Sequence, residues 1–188
     1  MSEHSREWLY LDELENAIDN LEMVPHFLEE INSTMKWKWT IIALHQALYG
    51  FAVCAANFPP DYQVVTFSKH APDGKLISIW SALKMAGEPL PKSAPNDFFK
   101  PLKLSAEEDA AIKLLVDGFR NEFEHFKPKS WSISISSFPS MIIKVLGVIK
   151  FLVLESNRVN NSSKDGLRVE RAIEKSEELI AKITESRK

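Results

Sequence analysis

The segment 35–57, MKWKWTIIALHQALYGFAVCAAN, is the most apolar stretch of the chain and limits its possible folds most strongly. A helix of this length could cross a membrane, since about 20 apolar residues span the hydrocarbon core. His45 and Gln46, however, lie at its middle, where polar side chains without partners would be costly in lipid. We therefore predict that the segment is the buried central helix of a bundle, with no membrane partner. Inside a bundle, both residues must find hydrogen-bond partners.

The composition favours a soluble helical protein. The chain has 188 residues, so we predict that 1–188 is a single domain with one core. Hydrophobic residues make up 45% and charged residues 26%, which is ordinary for a globular protein, and six glycines are too few for a turn-rich β architecture. Only one cysteine, Cys54, is present, which excludes an internal disulfide. An acidic N-terminus without an apolar signal segment favours a cytoplasmic location.

Hydrophobic periodicity predicts an all-α helical bundle of about five helices. Ser105 and Glu108 fit a capping box that starts one helix, and Pro128 ends it. Pro25 is expected either to kink the first helix or to start a new turn. Besides the central helix and the helix between Ser105 and Pro128, we expect helices at 7–23, about 139–155 and about 167–184, with a polar loop at 158–166.

The segment 61–104 is the least regular part of the chain, because five prolines interrupt it. Within this proline-rich insertion, 62–67 is expected to be extended and 75–85 to form a short helix after a turn at Asp73-Gly74. The alternating segment 131–135 is expected either to pair with 61–67 as a minor β pair or to lie as a loop on the bundle. A long insertion of this kind is a candidate lid or partner surface.

Acidic residues are concentrated at the N-terminus. Residues 1–32 carry nine acidic side chains and one arginine, so the rest of the chain has a net charge of +5 within the overall −3. Any RNA-binding surface is therefore expected to lie away from the first helix.

An arginine, an amide and a histidine lie together shortly before Pro128. Arg120-Asn121 is followed, after four intervening positions, by His125. This pattern resembles the R-x4-6-H signature of the HEPN superfamily, and the segments WKWTIIALHQALYGF and RNEFEHFKPKSWSI resemble a group of bacterial HEPN-like proteins. The resemblance implies a helical bundle with a metal-independent RNA-cleaving site, completed by dimerisation, and a role as a toxin or defence component. The implied partners are RNA, a second copy of the chain, and an antitoxin or a nucleotidyltransferase.

The side chains of the motif suit this chemistry. Cleavage by the 2′-hydroxyl of the RNA itself needs a base, an acid and a cation for the charged phosphorane, and histidine titrates near neutrality. We therefore expect His125 to act as acid or base and Arg120 to bind phosphate. Lys127 and Lys129 are candidate phosphate contacts. No metal ion and no cofactor are expected.

Helix geometry adds a constraint on the motif. On an ideal α-helix, positions 120 and 125 are roughly 140° apart, whereas 121 and 125 share a face. Asn121 is therefore expected to orient His125 within one chain, while Arg120 must reach round the helix or act across a dimer interface. The central helix offers His45, Gln46 and Tyr49 as candidate supporting residues.

Two other functions fit the same residues. In a non-catalytic helical dimerisation or interaction module, His125 would favour the negative end of the helix dipole, and Arg120 would pair with Glu124 at the i, i+4 spacing. In a small-molecule or nucleotide sensor, an apolar channel near the polar residues of the central helix would hold the ligand.

Overall fold

The computed structural model describes residues 11–30, 33–57, 64–90, 98–124 and 132–186. Within these ranges the chain forms six helices and one two-stranded antiparallel sheet, which confirms an all-α bundle with a minor β pair. The helices are α1 (Glu13–Glu29), α2 (Lys36–Ala56), α3 (Ile79–Gly87), α4 (106–124), α5 (138–155) and α6 (Ser163–Glu185). The strands are β1 (Val65–Ser68) and β2 (Ala71–Leu76).

Helix α2 lies at the centre of the bundle, as predicted, and packs against α1, α3, α4 and α5. It is long and apolar enough to span a membrane, yet 72% of its most apolar window is buried inside the bundle, as in the core helix of a soluble protein. Gly50 lets α1 approach closely, because a Cβ atom there would lie 2.7 Å from the Cβ of Ala17. All six helices contribute side chains to one hydrophobic core.

Helix α1 begins at Glu13, because the Oδ1 atom of Asp12 accepts a hydrogen bond from the Glu15 backbone N–H at 2.8 Å. The helix continues through Pro25, which is buried, to Glu29. The predicted range 7–23 therefore ends too early, and residues 11 and 12, which it included, are not helical. Residues 7–10 lie outside the described ranges.

Helices α4 and α5 each change from α-helical to π-helical geometry along their length. Helix α4 starts at the predicted capping box and is α-helical over Ala106–Lys113, π-helical over Leu114–Arg120 and α-helical again over Asn121–Glu124. Helix α5 is α-helical over Phe138–Lys150 and π-helical over Phe151–Glu155. π-Helical turns are rare, and they occur frequently at functional sites.

The insertion is more regular than its prolines indicate. Strand β1 pairs with β2 through a turn at 69–70, and residues 132–135 do not pair with it. Asp73 and Gly74 lie within β2 and do not form the predicted turn. Helix α3 begins at Ile79, where the Ser78 side chain caps it, so the predicted helix over 75–85 starts four residues too early.

The two remaining segments also differ in part from the predictions. Residues 132–135 form a loop whose Ile133 and Ile135 pack on the core, which is the second of the two expected arrangements. Helix α6 begins at Ser163 because Ser162 and Asp165 form a capping box. The prediction of a loop over 158–166 is therefore wrong for residues 163–166.

Candidate functional site

Arg120 is the last residue of the π-helical segment of α4, and Asn121 begins the α-helical turn that follows. A π-helix places residue i over residue i−5, so Arg120 follows Leu115, which is fully buried. The side chain of Arg120 is partly buried. The Nη1 atom of Arg120 donates a hydrogen bond to Oδ1 of Asn121 at 3.0 Å. The two residues form one unit.

Helix α2 places His45 next to this unit. His45 is only 5% exposed, and its Nδ1 atom is buried without a hydrogen-bond partner among the described residues. Burial, and secondarily the nearby charge of Arg120, lower the pKa of His45 to about 4. The imidazole is therefore neutral at pH 7. His45 thus lies on the helix that packs against the π-helical segment ending at Arg120, within range of the charge of the Arg120–Asn121 unit.

Tyr49 lies one turn after His45, with 6.2 Å between the two ring centroids. Its hydroxyl donates a hydrogen bond to the backbone carbonyl of Ile77, just after β2. Burial raises the pKa of Tyr49, the negative charge of Glu13 raises it further, and the positive charge of Arg120 opposes both. Tyr49 therefore connects the candidate site to the residue that follows β2.

Glu13 is a member of this cluster that the sequence did not reveal. Its Oε1 atom lies 3.3 Å from the position that a Cβ of Gly50 would occupy, next to Tyr49 in the chain. Partial burial, with a smaller effect of the neighbouring Asp12, raises the pKa of the Glu13 carboxyl. In the sequence, Glu13 is one of nine acidic residues in the range 1–32, and its spacing does not distinguish it from the others. The signal in the sequence is Gly50, because a glycine inside an apolar helix indicates that another helix packs closely against it there.

Several predicted site residues do not join this cluster within the described structure. The side chain of Gln46 is partly buried and makes no hydrogen bond to any described residue. His125, Lys127, Lys129 and the side chain of Glu124 lie outside the described structure. The roles of these four residues, including the pairing of Arg120 with Glu124, stay predictions.

A metal site, a reactive cysteine and a ligand cleft are the other functional features that the described residues could provide. Among them, no three His, Cys, Asp or Glu side chains are grouped so that they could hold a metal ion. Burial, and to a smaller degree Glu13 and Asp12, raise the pKa of the Cys54 thiol to about 12, so it is protonated and a weak nucleophile at neutral pH. A cleft of about 560 Å³ lies between the end of α2 and the segment after α5, and its lining residues include Cys54 and Asn57 but none of the predicted site residues.

The burial of His45 predicts a loss of stability in acid. The imidazole pKa is 6.5 in the unfolded reference and about 4 in the folded protein, so protonation favours unfolding between these two values. The free energy of unfolding should fall as the pH drops from 6.5, by roughly 3 kcal/mol at pH 4 from this group alone. Urea unfolding across this pH range should show a shallower decline for His45→Gln than for the wild type.

An exposed histidine of α1 supplies the control for this measurement. His26→Gln should keep the pH dependence of the wild type, because His26 is exposed. Equal pH dependence for the wild type and His45→Gln would show that His45 is not held neutral by burial.

Comparison of the chain with protein-family models, with curated proteins and with solved structures finds no match.

Proposed function

We propose that the chain is a HEPN-like protein that binds RNA and cleaves it without a metal ion, and that it acts in the cytoplasm as a homodimer. The observation that carries the proposal is the hydrogen-bonded pair of Arg120 and Asn121 at the end of a π-helical segment. This pair is partly buried beside His45. A fixed guanidinium next to buried polar groups is suited to binding phosphate, which takes paired N–H donors.

The reaction uses the 2′-hydroxyl of the RNA as nucleophile. The 2′-oxygen forms a bond to phosphorus, and the bond from phosphorus to the 5′-oxygen breaks. One proton passes from the 2′-hydroxyl to a base, and another passes from an acid to the departing 5′-oxygen. Arg120 stabilises the charge that develops on the phosphorane, and Asn121 holds the guanidinium through Nη1. Because the pKa of His45 is too low for it to exchange protons near pH 7, the proposal assigns the acid–base role to His125.

The resemblance to HEPN proteins extends the proposal to the cellular role. In that role the chain is a toxin or defence component whose activity an antitoxin or a nucleotidyltransferase partner controls. A dimer would place two copies of the Arg120–His125 motif close together, which gives each copy a second source of acid, base or cation.

The test is RNA cleavage in EDTA. Purified protein is incubated with end-labelled structured RNA, and the products are followed on a denaturing gel. We expect the wild type to cut and His125→Ala to lose the activity while it keeps the melting temperature of the wild type. His26→Ala, at an exposed position of α1, should cut like the wild type. Cleavage by His125→Ala at the wild-type rate would contradict the catalytic proposal.

An apolar patch near the start of α2 favours the second candidate, a non-catalytic interaction module. Met35 is 54% exposed and Trp39 is 45% exposed. The ring of Trp39 lies 6.3 Å from that of Phe27, so the patch extends onto α1. In this case no RNA would be cut by any variant in the test above, and Trp39→Glu would lower the molecular mass measured in solution by light scattering.

A further inference from the structure

The hairpin of β1 and β2 begins at the candidate site. The Ile77 backbone N–H bonds to the Val64 carbonyl at 2.9 Å, which closes the hairpin at its root. The Ile77 carbonyl accepts the hydrogen bond of the Tyr49 hydroxyl, and Tyr49 is close enough to Arg120 to be affected by its charge. Val64, Leu76 and Ile77 pack against the core. The root is therefore anchored on α2, the helix that packs against the π-helical segment ending at Arg120, while the rest of the hairpin extends from the bundle.

Phe67 is exposed on one face of this hairpin. Its side chain is 70% exposed, which is the highest value among the large hydrophobic residues that the structure describes. The ring lies against Gly74 of the opposite strand, where a Cβ atom would come within 3.0 Å of Phe67 Cε1 and 2.4 Å of Val65 Cγ1. Gly74 also has a φ of 90°, which favours glycine. A side chain at position 74 would collide with the Phe67 ring, so the glycine leaves room for this ring, which stays exposed to solvent.

The hairpin also carries positive charge in an acidic protein. Lys69 and His70 form its turn, and Lys75 lies in β2, whereas Asp73 is its one carboxylate. All four of these side chains are exposed. Thr66 pairs with Lys75, so Lys75 lies on the face opposite Phe67. Lys69, two residues after Phe67, is the lysine nearest to it in the chain, and an exposed aromatic ring combined with lysine side chains is the arrangement that binds single-stranded nucleic acid.

We propose that the β1–β2 hairpin is an RNA-binding arm of the candidate site, in which Phe67 stacks on an unpaired base and Lys69 contacts phosphate. This inference rests on the proposed function and adds that the substrate is single-stranded next to the cleaved bond. Bases in an A-form duplex are stacked on each other and unavailable to an aromatic side chain, whereas unpaired bases are not. The hairpin thus selects loops or single-stranded segments.

A protein partner fits this hairpin less well. Phe67 is one aromatic ring among polar neighbours, and a stable protein interface takes about 800 Å² from each partner. Pro72 lies within β2 and has no backbone N–H to offer an added strand. Charge and shape therefore favour RNA over an added strand or a second copy of the chain.

The test measures binding separately from cleavage. The probe is a fluorescein-labelled, single-stranded 2′-O-methyl RNA of about 12 nucleotides, which cannot be cut because it lacks the 2′-hydroxyl nucleophile. Fluorescence anisotropy at low salt should show Phe67→Ala binding roughly 5- to 100-fold more weakly than the wild type, and Phe67→Tyr binding like the wild type. Lys69→Ala should lower the slope of log K against log salt by about 0.7.

A second exposed phenylalanine provides the matched control. Phe98 is 58% exposed and lies near the end of the proline-rich insertion, away from β1 and β2 in the chain, where its ring contacts Phe99, so Phe98→Ala should bind the probe like the wild type. Circular dichroism and light scattering confirm that each variant keeps its fold and its mass. A lower mass for Phe67→Ala would identify the hairpin as a dimer contact and overturn the inference.

The remaining outcomes separate this inference from the proposed function. Wild-type cleavage together with unchanged probe binding by Phe67→Ala overturns the role of the hairpin and leaves the nuclease. Phe67-dependent binding without cleavage of any RNA supports the hairpin as an RNA-binding arm and removes the nuclease. No binding of the probe by the wild type at low salt overturns the inference itself.

Discussion

Replacing Arg120 with lysine is expected to lower the rate of RNA cleavage by about 100-fold or more, although the positive charge is kept. The guanidinium donates from Nη1 to the Asn121 amide oxygen at 3.0 Å, which fixes the plane of its other N–H groups. A lysine ammonium has no such plane and cannot bind phosphate through two parallel hydrogen bonds. The loss should appear in single-turnover rates measured in EDTA with saturating protein.

A substitution at Asn121 tests the acceptor of the same hydrogen bond. Asn121→Asp would place a carboxylate within hydrogen-bond distance of the guanidinium and offset part of the charge that binds phosphate, so it should also lower the rate. Arg171→Lys, at an exposed position of α6, is the matched control and should cut like the wild type. Arg120→Lys with at least half the wild-type rate would show that Arg120 does not act as a phosphate clamp.

Replacing Arg158 with alanine is expected to lower the free energy of unfolding by roughly 2 to 4 kcal/mol. Arg158 is only 3% exposed, and its guanidinium donates to the carbonyls of Met85 at 3.2 Å and of Glu88. These carbonyls lie at the C-terminal end of α3, where a positive charge is favourable. Alanine would leave both carbonyls without this donor and open a cavity beside them.

Urea unfolding of matched variants measures this effect. Arg158→Lys keeps the charge but cannot reach both carbonyls at once, so its free energy of unfolding should fall by about half as much. If the alanine variant does not fold, this lysine variant is measured in its place. Arg171→Ala, on the exposed face of α6, should stay within about 0.5 kcal/mol of the wild type. The same small change for Arg158→Ala would show that Arg158 does not hold α3 in place.

Features that depend on neighbouring residues were predictable. The central helix follows from its apolar run, and the start of α4 follows from Ser105 and Glu108, because a capping box involves only residues three apart. The capping box of Ser162 and Asp165 has the same form and was available in the sequence, but the polar residues around it favoured a loop.

Features that depend on distant residues were not predictable. Arg158 begins a polar stretch of the sequence, and its burial depends on carbonyls about 70 residues earlier in the chain. The turn lies at 69–70 and not at Asp73-Gly74, since Gly74 lies inside β2 next to Val65 and Phe67 of the paired strand. The π-helical segment of α4 has no sequence signature, since it adds one residue to a turn without requiring a particular side chain.

The sequence by itself determined an all-α bundle around one apolar helix and the capped start of α4, because hydrophobic periodicity and local hydrogen bonds act over a few residues. Only the tertiary structure decided that His45 and Tyr49 lie within range of the Arg120 charge and that the hairpin begins beside Tyr49. It also decided that His45 is neutral, since desolvation and charge depend on burial and on distances through space.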